Sequence, residues 1–255
     1  MVRLPAGDFD YEALGPGYAQ QRRADPRIGA LILQALGDAA SVLNVGAGAG
    51  SYEPEDRYVV AVEPSAAMRA QRPPHLTRAV CAVAERLPFD DGAFDAAMAL
   101  VTVHQWRDPR RGLSELRRVT RGRVLVLTFD RDALDRFWLA AYAPELIAVE
   151  RGRYPPIDLI CSALGGSTEI RAVAVPSDCV DGFTEAFYAR PEMLLDPAVR
   201  RSQSAWGFVE EAAHRRAIET LAHDLECGAW DERYGSWRHQ PSFDGSLRLI
   251  VDHPA

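Results

Sequence analysis

Short, almost wholly apolar runs recur along the first half of the chain, with longer mixed segments between them. The runs at 41–45, 58–62 and 94–101 carry apolar side chains at nearly every position, as strands that are buried on both faces of a parallel sheet do. Less pronounced runs predict four more strands, at 79–82, 123–129, 170–175 and 247–251. Helices are predicted at 25–37, 65–71, 110–120, 135–143 and 157–164. This alternation predicts an α/β protein with a doubly wound, mostly parallel sheet of seven strands.

A long helical segment separates the last two predicted strands. The residues 176–245 include helical stretches at 182–189, 197–202 and 210–227 and are rich in aromatic side chains. Connections of that length usually form a lid or a binding lobe, so we expect a helical lid here. One domain is predicted, made of an N-terminal arm and helix (1–37), a ligand-binding core (38–175), the lid (176–245) and the last strand (246–255).

Three glycines follow the first predicted strand at every second position. Gly46, Gly48 and Gly50 allow a backbone to approach a ligand closely, so the loop is a candidate binding site. The dinucleotide fingerprint is G-x-G-x-x-G, whereas the spacing here is G-x-G-x-G. Only residues 51–57, with Pro54 among them, precede the next strand, which leaves about one helical turn to hold a phosphate. A nicotinamide oxidoreductase is therefore an alternative but not the first choice.

An acidic residue ends the second strand. Glu63 follows Gly46 by seventeen positions, and a carboxylate there can accept hydrogen bonds from both hydroxyls of an adenosine ribose. Further along come A-E-R-L-P-F at 84–89 and F-D-A at 94–96. These four motifs, in this order, resemble those of the class I S-adenosylmethionine-dependent methyltransferases that act on small molecules, and the resemblance extends over residues 41–130.

The resemblance implies a Rossmann-like class I methyltransferase fold, S-adenosyl-L-methionine as cofactor and S-adenosyl-L-homocysteine as product. Two positions depart from the family pattern, since Asn44 and Val83 stand where acidic residues are usual. Contacts to the amino groups of the methionine and of the adenine are then expected to be weaker or made through water. The implied cofactor-binding residues are Asn44, Gly46, Ala47, Gly48, Gly50, Glu63, Pro64, Met68, Ala84, Glu85, Leu100 and Val101.

Methyl transfer from a sulfonium needs the acceptor held in line in a dry pocket, and some acceptors also need a base. His104, directly after the fourth strand, is the candidate base; alternatively it is a structural histidine that packs on Trp106 or caps a carbonyl. The acceptor is expected to be a small molecule methylated on oxygen, nitrogen or carbon.

Two rival hypotheses are a non-methylating biosynthetic enzyme of the cyclase kind and a non-catalytic binding module. Candidate substrate residues are Tyr18, Arg22, Trp106, Trp138, Tyr188 and Trp206.

Composition narrows these choices. The chain has 255 residues, 47% of them hydrophobic, and a net charge of −7, which disfavours nucleic acid as a partner. All 29 basic residues are arginine, so chemistry that needs a Schiff-base or Walker A lysine is excluded. The cysteines and histidines lack the spacing of metal ligands, and no apolar run approaches the ~20 residues that cross a bilayer. We expect a cytoplasmic monomer or homodimer without a metal.

Overall fold

The computed structural model describes residues 21–254 and contains a six-stranded sheet in the order β2-β1-β3-β4-β8-β5. The first four strands of that order are mutually parallel, and β8 is antiparallel to both β4 and β5. This confirms the predicted α/β class and the mostly parallel sheet. The strands are β1 (Ser41–Val45), β2 (Tyr58–Val62), β3 (Phe94–Leu100), β4 (Thr120–Phe129), β5 (Ser167–Ala172), β6 (Val175–Pro176), β7 (Ser242–Phe243) and β8 (Leu247–His253), with β6 and β7 forming a separate ribbon.

Nine α-helices and six 3₁₀ turns connect these strands in the described residues. The α-helices are α1 (Pro26–Leu36), α2 (Ala66–Ala70), α3 (Pro109–Arg118), α4 (Leu139–Tyr142), α5 (Pro144–Arg153), α6 (Ile157–Leu164), α7 (Pro197–Arg201), α8 (Glu211–Cys227) and α9 (Ala229–Tyr234). The 3₁₀ turns are Val103–Gln105, Leu134–Arg136, Thr184–Phe187, Pro191–Leu195, Ser204–Phe208 and Gly235–His239. No helix within residues 21–254 has both the length and the apolar content needed to cross a membrane.

The sheet has six strands rather than the predicted seven. The segment predicted as a strand at 79–82 meets the sheet at Val80 alone, whose N–H donates to the Ala61 carbonyl at 2.8 Å and whose carbonyl accepts from the Glu63 N–H at 3.0 Å. It lies outside β2, which already ends the sheet, so it has a partner on one side only. One pair of hydrogen bonds forms a bridge there and not a strand.

Local signals placed the boundaries of several helices correctly. The Asp25 carboxylate accepts a hydrogen bond from the Arg27 N–H at 3.0 Å, Pro26 opens α1, and Gly37 ends it with a φ of +59°. Gly122 follows the helix predicted at 110–120 but does not end it, because that helix already ends at Arg118. That glycine lies inside β4, where a Cβ atom would approach the Asp95 carbonyl oxygen to 2.0 Å, so a close strand pairing is what requires glycine.

The segment 176–245 is helical, but it packs as part of the main core. Tyr188 and Trp230 are fully buried, and they belong to the same apolar cluster as Leu125 of β4 and Ile28 of α1. The opposite face of the sheet is covered by a second cluster that includes residues of α3 and α6. A lid must separate from the sheet, and separating this segment would expose its largest aromatic side chains. The structure thus shows this segment as a wall that is continuous with the core, and it does not confirm the predicted lid.

Candidate active site

The glycine loop turns sharply at the carboxyl end of β1. Both Gly46 and Ala47 donate their backbone N–H to the Val62 carbonyl, at 2.9 and 3.0 Å, which holds the loop against the end of β2. Gly46 has a φ of +71°, and a Cβ there would lie 2.0 Å from the Thr102 hydroxyl oxygen. Gly48 has a φ of +50°, and its missing Cβ would approach only a methionine methyl group, at 3.3 Å. Steric crowding thus requires glycine at position 46, whereas at position 48 the absence of a side chain leaves the backbone accessible to a ligand.

A cavity of about 250 Å³ lies between this loop and the ends of β2 and β3. Gly50 does not line it, because a Cβ at that position would point at Leu76, 2.4 Å away, on the other side of the loop. The structure thus does not place Gly50 in the predicted cofactor-binding role. The other predicted cofactor residues all line the cavity: Asn44, Gly46, Ala47, Gly48, Glu63, Pro64, Met68, Ala84, Glu85, Leu100 and Val101.

Glu63 is almost fully buried at the cavity wall. One carboxylate oxygen accepts from the Gly48 N–H and the other from the Ser65 N–H, both at 2.8 Å. Burial raises the pKa of Glu63, while these two backbone hydrogen bonds oppose the rise. Each oxygen of a carboxylate can accept two hydrogen bonds, so one position on each remains for a vicinal diol. The arrangement fits the predicted ribose contact.

Asn44 is held in place by an acid behind it. Its side-chain amide donates to Glu53 at 2.9 Å, and Glu53 in turn forms two hydrogen bonds with Arg72, at 2.9 and 2.7 Å. The resemblance leads us to expect a carboxylate at position 44. Here the carboxylate belongs to Glu53, which lies behind Asn44 as seen from the cavity, and Arg72 neutralises its charge. Asn44 presents a neutral amide to the cavity.

A buried polar network closes the cavity opposite Glu63. Arg22 donates to Asp181 at 2.6 Å, and the second oxygen of that carboxylate accepts from the Tyr52 hydroxyl at 2.9 Å. The same hydroxyl accepts from the backbone N–H of Asp25 at 3.3 Å. Arg22, Tyr52 and Asp181 all line the cavity, so the chain before α1 and the loop before the 3₁₀ turn at Thr184–Phe187 are tied to the glycine loop. Tyr52 and Asp181 were not predicted from the sequence.

A second, smaller cavity of about 30 Å³ adjoins the first at Arg22, Val101 and Gln105, which line both. Val101 follows β3 with a φ of +52°, a left-handed conformation that is costly for a β-branched residue. Such backbone strain is typical of functional positions, and Val101 lies at the boundary between the two cavities.

His104 lies in the wall of the second cavity, where its ring is 4.7 Å from that of Tyr154, so the predicted packing on Trp106 is replaced by packing on a tyrosine. Burial holds the pKa of His104 well below its usual range, and Arg153 and Arg22 lower it further, so the ring is neutral. Its Nε2 lies 3.3 Å from the side-chain amide nitrogen of Gln105, a contact that places the ring proton on Nδ1 when that amide nitrogen donates. Nδ1 has no hydrogen-bond partner within residues 21–254. A base at Nδ1 would need the other tautomer, and the catalytic role of His104 stays a prediction.

Two carboxyl groups in the same wall were missed by the sequence analysis. Burial raises the pKa of Glu150 to about 7, and the nearby Glu185 contributes to the rise. Burial likewise raises the pKa of Glu185 to about 7, against the hydrogen bonds that it accepts from Ser246. A sequence signal existed for Glu150, because it follows Leu146 and Ile147 by four and three positions and thus shares their buried helix face.

The predicted substrate residues are only partly brought together. Arg22 lines both cavities, whereas Trp106 lies in the wall of the first, beside Ala84. Tyr18 lies outside the described residues. Three further candidates line neither cavity, because they are buried in the core: Trp138, Tyr188 and Trp206.

Polar contacts explain why those three aromatic residues are buried. Trp138 donates its indole N–H to the Tyr188 carbonyl at 2.9 Å, and Trp206 donates to Gln203 at 3.1 Å. In the described part of the chain, one group of His, Asp and Cys side chains could hold a metal, on the outer face of α8, and none of its members lines either cavity.

Comparison with known proteins agrees with this geometry. Residues 43–127 match the family model of the methyltransferase domain. The chain is similar to a protein assigned as a methyltransferase of an antibiotic biosynthesis pathway in Anabaena variabilis, with a TM-score of 0.84 and 29% identity over 91% of this chain and 99% of the other.

Two more distant structures share the fold. One is an S-adenosylmethionine-dependent methyltransferase of Thermotoga maritima, with a TM-score of 0.56 and 16% identity over 96% of this chain and 98% of the other. The other is phosphoethanolamine N-methyltransferase 2 of Haemonchus contortus in complex with S-adenosyl-L-methionine. Its TM-score is 0.53, with 15% identity over 89% of this chain and 52% of the other. No protein with a curated description matches the chain.

The sheet order, the glycine loop and the acid at the end of β2 define a class I S-adenosylmethionine-dependent methyltransferase domain. Residues 43–127 match the methyltransferase domain, and the chain resembles class I S-adenosylmethionine-dependent methyltransferases, as the motifs between residues 41 and 130 predicted. The residues of the first cavity fit this methyl donor, since Gly48 leaves open backbone and Glu63 keeps free acceptor positions for a ribose.

Proposed function

We propose that this protein transfers the methyl group of S-adenosyl-L-methionine to a small molecule whose reacting group enters the second cavity. The observation that carries the proposal is the size and position of that cavity. It measures about 30 Å³, is lined mostly by buried side chains and, among residues 21–254, shares Arg22, Val101 and Gln105 with the larger cavity. About two groups of the size of water fit into such a space, so it suits the end of a small molecule and not a folded polymer surface.

The residues of the first cavity bind and orient the donor in this proposal. Glu63 accepts the ribose hydroxyls, the backbone around Gly48 lies against the amino-acid end, and Ala84 and Glu85 flank the adenine. When bound, S-adenosyl-L-methionine supplies an electrophilic methyl group on a positively charged sulfur. The buried ion pair of Arg22 with Asp181 excludes water from that side of the cavity, which favours an in-line displacement.

Charge and similarity support a metabolite or a natural-product intermediate as the acceptor. The net charge of −7 disfavours a nucleic acid. The related protein of Anabaena variabilis is assigned to an antibiotic biosynthesis pathway, and the two chains share 29% identity. Both facts point to the chemistry of small molecules.

The test is a methylation assay with isotope-labelled S-adenosyl-L-methionine and a cell extract that has been separated by size. We expect a labelled product in the low-molecular-weight fraction, detected by its mass shift, and none in the protein or nucleic-acid fractions. Label in a macromolecular fraction would overturn the proposal. Calorimetry with S-adenosyl-L-homocysteine and, separately, NADH checks the donor: the first should bind and the second should not. Binding without any methylated product would favour a non-methylating enzyme.

A further inference from the structure

The second cavity contains hydrogen-bonding groups that have no partner among residues 21–254. One oxygen of the Glu150 carboxylate accepts from the Thr184 hydroxyl at 3.2 Å, and the other has no hydrogen-bond partner in the described part of the chain. The Nδ1 of His104 also lacks a partner within residues 21–254. Buried polar groups are seldom left unsatisfied, so the unpartnered His104 nitrogen, beside a carboxylate with room for a further hydrogen bond, indicates that a polar ligand group completes the site.

Aromatic rings surround these polar groups. The rings of Phe129 and Tyr154 lie 5.3 Å apart, and that of Phe183 lies 5.5 Å from Phe129 on its other side. Together with His104 against Tyr154, these rings form a continuous row along the cavity. Faces of aromatic rings attract cations, and the combination of aromatic faces with a carboxylate is suited to an ammonium group.

The formal charges lead to the same conclusion. Arg22 is paired with Asp181 at 2.6 Å, so its charge is balanced. The remaining charged side chains in the wall are Arg153, whose guanidinium donates to Ser204 at 3.0 Å, and the two carboxyl groups of Glu150 and Glu185. Arg248 and Arg136 favour the charged form of Glu185, whereas burial and Glu185 raise the pKa of Glu150, so a cation bound beside Glu150 would favour its ionised form.

We propose that the second cavity is an amine site, in which Glu150 holds the amino group of the acceptor and receives the proton that this group loses before it is methylated. This inference rests on the proposed function and adds the substrate class. The ammonium transfers one proton to the free oxygen of Glu150 and becomes a neutral amine. The nitrogen lone pair then forms the N–CH₃ bond while the C–S bond of the donor breaks, and its electron pair stays on sulfur. The products are a methylated ammonium, neutral S-adenosyl-L-homocysteine and a protonated Glu150.

The geometry of the wall favours Glu150 over its neighbours for this step. Both oxygens of Glu185 already accept hydrogen bonds from Ser246, and the low pKa of the buried His104 makes it a weak proton acceptor. A carboxyl group that titrates near neutral pH, as the buried Glu150 does, can both take up and release a proton there.

Ligand-observed nuclear magnetic resonance tests the site without knowledge of the natural acceptor. The protein is saturated with S-adenosyl-L-homocysteine and titrated in separate samples with ethylammonium, ethanol and acetate, which are similar in size and differ in charge. Such small probes bind weakly, with dissociation constants of about a millimolar or above. We expect ethylammonium to bind at least tenfold more tightly than ethanol or acetate. Equal binding of ethanol would indicate a hydroxyl site, tighter binding of acetate an anion site, and either result would overturn the proposal.

A pair of matched variants locates the interaction. Glu150→Gln keeps the size and the contact with Thr184, and it should weaken ethylammonium binding at least tenfold. Glu145→Gln lies on the same helix with an exposed side chain and should leave binding unchanged. Binding of ethylammonium to Glu150→Gln within threefold of the parent would contradict the inference. Should that variant fail to fold, the comparison of the three probes in the parent protein still tests whether the cavity prefers an ammonium group.

An infrared titration gives an independent readout of the proton. The difference between the spectra of the parent and Glu150→Gln isolates the Glu150 carboxyl group, and the variant Glu185→Gln separates the band of its neighbour. Bound ethylammonium should lower the midpoint of the Glu150 titration, because a cation favours the carboxylate. An unchanged midpoint would oppose the inference. Loss of S-adenosyl-L-homocysteine binding in the parent protein would count against the proposed function instead, so the two failures are distinguishable.

Discussion

Glu63 is a buried carboxylate whose charge is stabilised by the backbone of the loop it is expected to serve. Its two hydrogen bonds, to Gly48 and Ser65, fix the orientation of the side chain before any ligand arrives. A pre-oriented acceptor loses little conformational freedom on binding, so its contacts should contribute strongly to affinity.

The first prediction therefore concerns Glu63→Ala. Loss of two charge-assisted hydrogen bonds should cost about 2 to 4 kcal/mol, which is an affinity for S-adenosyl-L-homocysteine at least ~30-fold weaker in calorimetry. Glu55→Ala, at an exposed position outside the first cavity, is the control and should bind normally. An affinity of Glu63→Ala within threefold of the parent would remove Glu63 from the ribose contact.

The second prediction concerns Glu150 and the pH dependence of stability. Its pKa is about 7 in the folded protein and 4.5 as its ordinary value, so the folded state holds its proton more tightly than the unfolded state. The stability that this proton provides is fully present below pH 4.5 and is lost as the pH rises through 7. Glu150→Gln is neutral at every pH and should thus be the more stable protein at pH 8, by on the order of 3 kcal/mol, with little difference near pH 4.5.

Denaturant unfolding of both proteins at the two pH values measures this difference. Glu145→Gln, at the exposed position on the same helix, should follow the parent at both values. A Glu150→Gln variant that is destabilised at pH 8 would show that the Glu150 carboxylate is fully satisfied in the folded protein and has no oxygen left for a ligand.

At the level of elements, periodicity and capping residues predicted the strands β1 to β4 and the helices α1 and α6 well, because each carries a complete local signal. Two helices were missed, α9 and α5, and in α5 charged residues fill much of the surface and Pro155 and Pro156 follow the end. Beside the predicted Arg22 and His104, the second cavity is lined by residues of α5, of the 3₁₀ turn at Thr184–Phe187 and of 202–205. Segments so far apart in sequence converge only through tertiary packing, whereas the glycine loop and Glu63 belong to one β-loop-β unit. The donor side of the site was therefore predictable and the acceptor side was not.

The third prediction concerns the glycine loop as an element. Gly48→Val places a branched side chain in a backbone with a φ of +50° and fills the open side of the loop, so binding of S-adenosyl-L-homocysteine should be lost while the circular dichroism spectrum is retained. Gly152→Val is the control, because a Cβ there meets no atom within 4 Å. Normal binding by Gly48→Val would mean that the backbone of the loop does not contact the donor.

At the level of the whole molecule, the helical segment 176–245 and the sheet share one apolar core, with Trp230 fully buried at its centre. The sequence could not distinguish this wall from a lid, since both are rich in aromatic residues. The distinction depends on where those rings point, which only the packing determines.

The fourth prediction follows from that shared core. In hydrogen-exchange mass spectrometry without ligand, the amides around Tyr188 and Trp206 should be protected to the same degree as those of β3 and β4, and S-adenosyl-L-homocysteine should change them little. Trp230→Ala should lower the protection of wall and sheet together. Fast amide exchange confined to residues 176–245 would show instead that this segment acts as a lid.

The strand order of the sheet also bears on how the chain acquires its structure during synthesis. β8 lies between β4 and β5, so β5 has no partner in the sheet until Leu247–His253 exists. A ribosome delivers residues from the amino end at about 5 to 20 per second. For the several seconds that separate Ala172 from Leu247, the nascent protein therefore exposes the unpaired edges of two strands, and a nascent-chain chaperone that covers such edges is the partner its biogenesis would most need.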